Sequence, residues 1–212
     1  ATDVTGVGTA RQYLAACSYG GDKGIFGFGN DGSPTGVTNL VSNAGVVATD
    51  VTAVGTARYA LAACEYGGDK GIFGFGDDDV SSSVSMTNLV SNAGVVASDV
   101  TGVGTARKYP GACGYGEDKG IFGFGTDDGS NKVSMTNLVS NTGVVATDTT
   151  GVGTARKALA ACEYGNDKAI FGFGNDGSNV SMTNLVSNAG VVATDVTGVG
   201  SARLALAACS FN

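Results

Sequence analysis

In a chain of 212 residues, 42% are hydrophobic and 15% charged, and 36 glycines stand against 2 prolines; such a chain can bury a core and turn often, and it suits neither collagen nor disorder. A net charge of -7 with no cluster of Lys or Arg offers a polyanion no basic face, which excludes nucleic acid as a partner. No apolar run approaches the roughly 20 residues that span a bilayer, so membrane insertion is not expected. The first residues already belong to a repeat and carry no charged-then-apolar leader, as in a mature product or a piece of something longer.

Five cysteines, Cys17, Cys64, Cys113, Cys162 and Cys209, set the register, with separations of 47, 49, 49 and 47 residues. Four units run 1–47, 48–96, 97–145 and 146–192, and residues 193–212 repeat the first part of a fifth, all within a single repeat domain. The length varies in one place, after F-G-F-G, where Asn30-Asp31 opens one copy and Asp77-Asp78-Asp79 the next. A site that tolerates insertion reads as a surface loop.

Within the second unit, residues 59–66 form an apolar run, 67–70 a glycine turn and 71–76 a second apolar run, which together predict a hairpin. A loop follows, marked by Asp-Gly at Asp31, Asp128 and Asp176 in other copies, and then a third run at 84–91. The turn signal Ser-Asn-Ala-Gly leads into a fourth run at 95–101, rich in β-branched residues. A helix is disfavoured, because each glycine of G-I-F-G-F-G would cost about 1 kcal/mol there. Four antiparallel strands per unit of 47 to 49 residues predict an all-β chain, a β-propeller of four-stranded blades around a central channel. Ala62, Ala63, Gly71 and Gly74 would allow close approach near the axis, and Phe73, Phe75, Leu61 and Leu89 would fill the widening space outside. Each such large side chain contributes about 1.5–3 kcal/mol on burial, so the units should hold one another. Residues 193–212 duplicate 1–20 instead of completing a blade, which leaves a displaced end, a larger ring, a homo-oligomer with shared blades or a filament as the ways to assemble.

Thr56-Ala57-Arg58, Tyr66-Gly67-Gly68 and the run from Lys70 to Gly76, with copies around Arg11, Arg107 and Arg156, resemble the kelch-like β-propellers in order. The match covers all four complete units. It departs where kelch repeats end the second strand in a double glycine, here G-F-G, and in the absence of any tryptophan. The phrase T-N-L-V-S-N-T-G-V-V-A-T-D is similar to repeats in structural proteins of marine bacteriophages, a resemblance that implies a virion or adhesin setting.

Aspartate and arginine recur eight residues apart as Asp3/Arg11, Asp50/Arg58, Asp99/Arg107, Asp148/Arg156 and Asp195/Arg203. Such a set of charges either fixes the spacing of units or captures anionic groups through the guanidinium fork. The acidic loops, Asn30, Asp31, Asp77, Asp78, Asp79, Asp127, Asp128, Asn175 and Asp176, are the candidate ligand contacts. They lack the spaced oxygens and closing Glu of a calcium loop. The Asp-Lys pairs at Asp22, Asp69, Asp118 and Asp167 read as solvated turns. The cysteines lack C-x-x-C pairs and recur on equivalent strands of different units, so buried thiols are expected instead of disulfides or a metal site.

Zero histidines remove the usual general base and the commonest copper ligand. The carboxylates repeat identically where an active site needs one asymmetric cluster, and no nucleotide motif is present. No catalytic residue, cofactor or metal is therefore expected. The expected role is a non-enzymatic structural or binding propeller. By the phage resemblance it is a fibre or adhesin component, extracellular or on a virion, touching a glycan or protein surface through the inter-strand loops. The alternative is a cytoplasmic kelch-type interaction scaffold.

Overall fold

Residues 4–80, 82–128 and 130–210 are described by a computed structural model of the chain. Asp3, the proposed counterpart of Arg11, lies outside the described residues, as do Ser81 and Gly129 of the variable loops.

The hairpin expected in each unit forms at the expected place. In the first unit β1 (Ala15–Tyr19) and β2 (Lys23–Gly27) pair antiparallel with Cys17 opposite Ile25. Gly20 and Gly21 make the turn at φ 62 and 79, a left-handed conformation that glycine adopts without a Cβ penalty. Then β3 (Thr38–Val41) pairs with the other edge of β2, Ile25 opposite Leu40. The pattern recurs in β4 (Ala62–Tyr66), β5 (Lys70–Gly74) and β6 (Thr87–Val90), and again in β7 (Gly111–Tyr115), β8 (Lys119–Gly123) and β9 (Thr136–Val139). It recurs a last time in β10 (Ala160–Tyr164), β11 (Lys168–Gly172) and β12 (Thr183–Val186). Among the described residues the chain is all-β, with four three-stranded antiparallel sheets.

The fourth run does not extend as a strand. In the second unit it meets β6 at two isolated bridges, Val90 with Val96 and Thr87 with Val100. The interval is one residue longer on the second side, a bulge that breaks the ladder. The Asn88 side chain fills the break, donating to the Ala97 carbonyl at 3.0 Å and to Asp99 Oδ1 at 2.9 Å. A β-branched run suited to a strand is thereby held beside the sheet by a side chain.

The core lies between successive sheets. Phe28 of unit one meets Phe73 of unit two edge to face, with centroids 5.1 Å apart, among Tyr19, Ile25, Leu61 and Val90. Phe75 with Phe122 and Phe124 with Phe171 repeat the contact at 5.2 Å. Glycines make the approach possible: a Cβ on Gly74 would lie 2.8 Å from Phe122 Cζ, and one on Gly71 would lie 2.6 Å from Cys17 Sγ. Phe28, Phe75, Phe124 and Phe173 are themselves left-handed, at φ between 61 and 64, a costly conformation for a bulky residue that recurs in every full unit.

A second link joins the units near their starts. Ala60 N–H donates to the Tyr13 carbonyl at 2.9 Å, and Tyr109 to Ala60, Ala158 to Tyr109 and Ala205 to Ala158 in the same way. Each residue of this relay is left-handed, at φ between 53 and 57, so five equivalent positions are hydrogen-bonded in succession.

Candidate functional site

Arg58 is fully buried at the seam between units one and two. Its guanidinium lies 4.2 Å from the Phe28 ring centroid, and Nε donates to the Phe75 carbonyl at 2.9 Å. The carboxylate it faces is Asp99, at 3.9 Å, not Asp50 eight residues before it. Asp50, near the start of unit two, reaches back into unit one, facing Arg11 at 4.0 Å and accepting from Asn39 Nδ2 at 2.9 Å and the Thr9 hydroxyl at 2.8 Å. Arg107 with Asp148 and Arg156 with Asp195, both at 3.8 Å, follow the same rule. The pairing therefore joins each arginine to the aspartate of the following repeat instead of the one eight residues before it, because the bulged fourth segment carries that aspartate back beside the arginine.

These arginines are spent on packing. Burial lowers the Arg58 guanidinium to about 10, against the opposing pull of Asp99, and it stays charged at neutral pH. Burial also pushes the Asp99 carboxyl up, but hydrogen bonds from Asn88 and Thr56 and the charge of Arg58 hold it below the usual carboxylate value. Arg203 covers Phe173 at 4.4 Å yet is itself exposed, since among the described residues no further sheet lies beyond it.

The acidic loops spend most of their oxygens on their own turns. Asn30 Oδ1 accepts from Gly32 N–H, Asp31 Oδ1 from Ser33 N–H, Asp127 Oδ1 from Asn131 N–H, Asn175 Oδ1 from Gly177 N–H and Asp176 Oδ1 from Ser178 N–H. Asp78 Oδ1 accepts from Val80 N–H, and Asp79 from the Tyr59 hydroxyl at 3.0 Å. Two loops tie neighbouring units together. Asp77, 3% exposed, meets Lys108 Nζ at 2.5 Å, and Asp128 accepts from Ser83 N–H at 2.6 Å. Asp31, Asp79, Asp128 and Asp176 remain exposed at the surface.

The first segments of all five units face one cavity of about 480 Å³, each contributing an Ala-Cys-X triplet that begins at Ala16, Ala63, Ala112, Ala161 or Ala208. The thiols are all free. Burial pushes Cys17 up to about 12 and drives Cys64 and Cys113 well above the ordinary thiol value, so they stay protonated and poorly nucleophilic at neutral pH. Among the described residues no group of three or more His, Cys, Asp or Glu side chains is placed to hold a metal. Ser18 hydroxyl donates to Glu65 in the same cavity, and burial, with Glu65 and Asp167 nearby, raises the Glu163 carboxyl.

The starts of these first segments line a second cavity of about 440 Å³, where Tyr13 and Tyr109 meet edge to face at 5.9 Å and Lys157 Nζ stands 5.7 Å from the Tyr109 centroid. Sequence reasoning missed this aromatic cavity. The signal was present, because the relay position reads Tyr13, Ala60, Tyr109, Ala158 and Ala205, one of the places where near-identical copies differ. In comparisons with protein-family models and with curated proteins, nothing matches the chain.

Proposed function

We propose that the chain is a non-enzymatic structural and binding propeller whose repeated outer positions make many weak contacts at once. The four sheets act as its blades, each completed by a bulged fourth segment. This reading is supported by five equivalent first segments lining one cavity and by the hydrogen-bonded relay that joins their starts. The observation that carries the binding role is the outer turn: Val46, Val95, Val144 and Val191 are each 65% exposed at the same place in every unit. Identical apolar points on a rigid frame favour adhesion to a protein surface, where linked weak contacts multiply. A virion fibre or bacterial adhesin, extracellular or on the particle, is the setting that fits. The protonated thiols and the internally bonded loop carboxylates support a role without catalysis.

Flow cytometry of the labelled chain on whole bacterial cells tests this reading. Changing the valines to Asp one, two and four at a time should reduce retention more than proportionally; equal retention by the fourfold variant rejects it. The aromatic cavity favours a second reading, a glycan contact, since the exposed Tyr13 ring stands edge to face with Tyr109, beside the Lys157 ammonium. A printed glycan panel in which Tyr13→Ala with Tyr109→Ala loses all signal would favour that cavity.

A further inference from the structure

Near-identical units differ from one another at two levels of their first segments. Directly after the unchanging arginine the four units read Gln12-Tyr13, Tyr59-Ala60, Lys108-Tyr109 and Lys157-Ala158. Directly after the cysteine they read Ser18, Glu65, Gly114 and Glu163. Like strands therefore carry an uneven lining, and the unevenness is one of charge.

Adjoining cavities connect the two levels. The aromatic cavity shares Leu14, Leu61, Pro110 and Leu159 with one of about 400 Å³, which in turn shares Ala16, Ala63, Ala112 and Ala161 with the cavity of the thiols. From Leu14 to Ser18 is four steps of extended chain, about 13 Å. The walls between are leucine, alanine and protonated thiol. At the tyrosine level Lys157 is half-buried and forms no ion pair among the described residues, whereas Lys108, its counterpart one unit earlier, is held by Asp77. At the other level Glu65 takes the Ser18 hydroxyl, and Glu163 leans over Gly114, its Oε2 3.5 Å from where a Cβ would stand. Lys23 borders that level too, but it faces Asp22 at 3.7 Å.

We infer that these cavities bind a single-chain anionic amphiphile, an alkyl carboxylate whose head meets Lys157 beside Tyr13 and Tyr109 and whose tail lies along the leucines and alanines. Charge sets the direction, because Glu65 and Glu163 repel the head from the thiol level while Lys157 receives it. The leucine walls favour an alkyl tail over a sugar, whose hydroxyls would be buried there without partners. The volume suits a small ligand largely enclosed by apolar side chains and fixed by few polar ones. This inference goes beyond the adhesive role and makes no use of the outer valines.

Isothermal titration of the full chain with octanoate, decanoate and dodecanoate, each below its micelle concentration, tests it. Binding should be one to one and tighten by about fourfold per added methylene, while decyltrimethylammonium should give no heat. Lys157→Glu should weaken decanoate about tenfold or more with an unchanged thermal midpoint, and Lys132→Glu should leave the affinity unaltered. Leu14→Asn should weaken dodecanoate more than octanoate. The inference is overturned if dodecanoate does not bind at millimolar concentration, if affinity ignores chain length, or if wild type and Lys157→Glu bind alike. A chain that holds a glycan through Tyr13 and Tyr109 yet takes no alkyl carboxylate also overturns it, and makes the sugar the occupant.

Discussion

Arg58 and Arg203 occupy the same place in the repeat and differ only in what stands beyond them. Arg58 is buried over Phe28 with its Nε on a carbonyl, and Arg203 is exposed. Arg58→Ala removes aromatic stacking and stem packing and leaves Asp99 without its cation, so it should cost about 3 kcal/mol in urea unfolding, with Arg203→Ala within about 0.5 kcal/mol of wild type. Phe73→Ala, fully buried, should cost about 3–5 kcal/mol. Lys70→Ala should leave the midpoint unmoved, since Lys70 pairs with its neighbour Asp69 in a half-exposed turn. Thiol chemistry follows the same gradient. Iodoacetamide at neutral pH should label exposed Cys209 first and reach Cys64 and Cys113 only on unfolding, which peptide mapping by mass spectrometry would read. Residue types and spacing made the Arg and Asp visible in the sequence. Their partners were not, because Asp99 reaches Arg58 only after the chain has completed a whole unit.

At the level of elements, the β1–β2 hairpin and β3 were legible from alternating apolar runs and glycine turns, and each lies at its expected place. The fourth run was not, because β-branched composition cannot reveal that Asn88 will bond into the ladder and force a bulge. The close contact of sheets predicts unequal glycines. Gly74→Ala drives a methyl against Phe122 and should cost about 1–3 kcal/mol, whereas Gly172→Ala meets only Thr183 and should cost less than half as much. Equal losses in chemical denaturation would mean that the seam does not set the glycine requirement. Gly172 shows no sign of this difference in sequence, since F-G-F-G is the same in every unit.

Across the whole molecule the seam carboxylates couple stability to pH in one direction. Asp99, Asp148 and Asp195 titrate below their ordinary value because hydrogen bonds and an arginine outweigh their burial. Their stabilisation is fully present above the unfolded carboxylate value of about 3.9 and is lost as pH falls through the lower folded values. Glu163 opposes this, since its raised value means that burial of its charge costs stability at neutral pH and is relieved on acidification. Thermal midpoints should therefore vary little between about pH 6 and 8 and fall below about pH 4. A midpoint that rises on acidification below pH 4 would place the controlling groups elsewhere. Repetition of turn, strand and small-residue signals was enough to determine an all-β array of like units with apolar seams, because local propensity and periodicity reside in contiguous residues. Which aspartate meets which arginine, where the fourth run bulges, and which tyrosines meet across one cavity depend on neighbours a full unit or more away. Only the packed chain decides those, since identical copies acquire different surroundings according to whether another copy stands beside them.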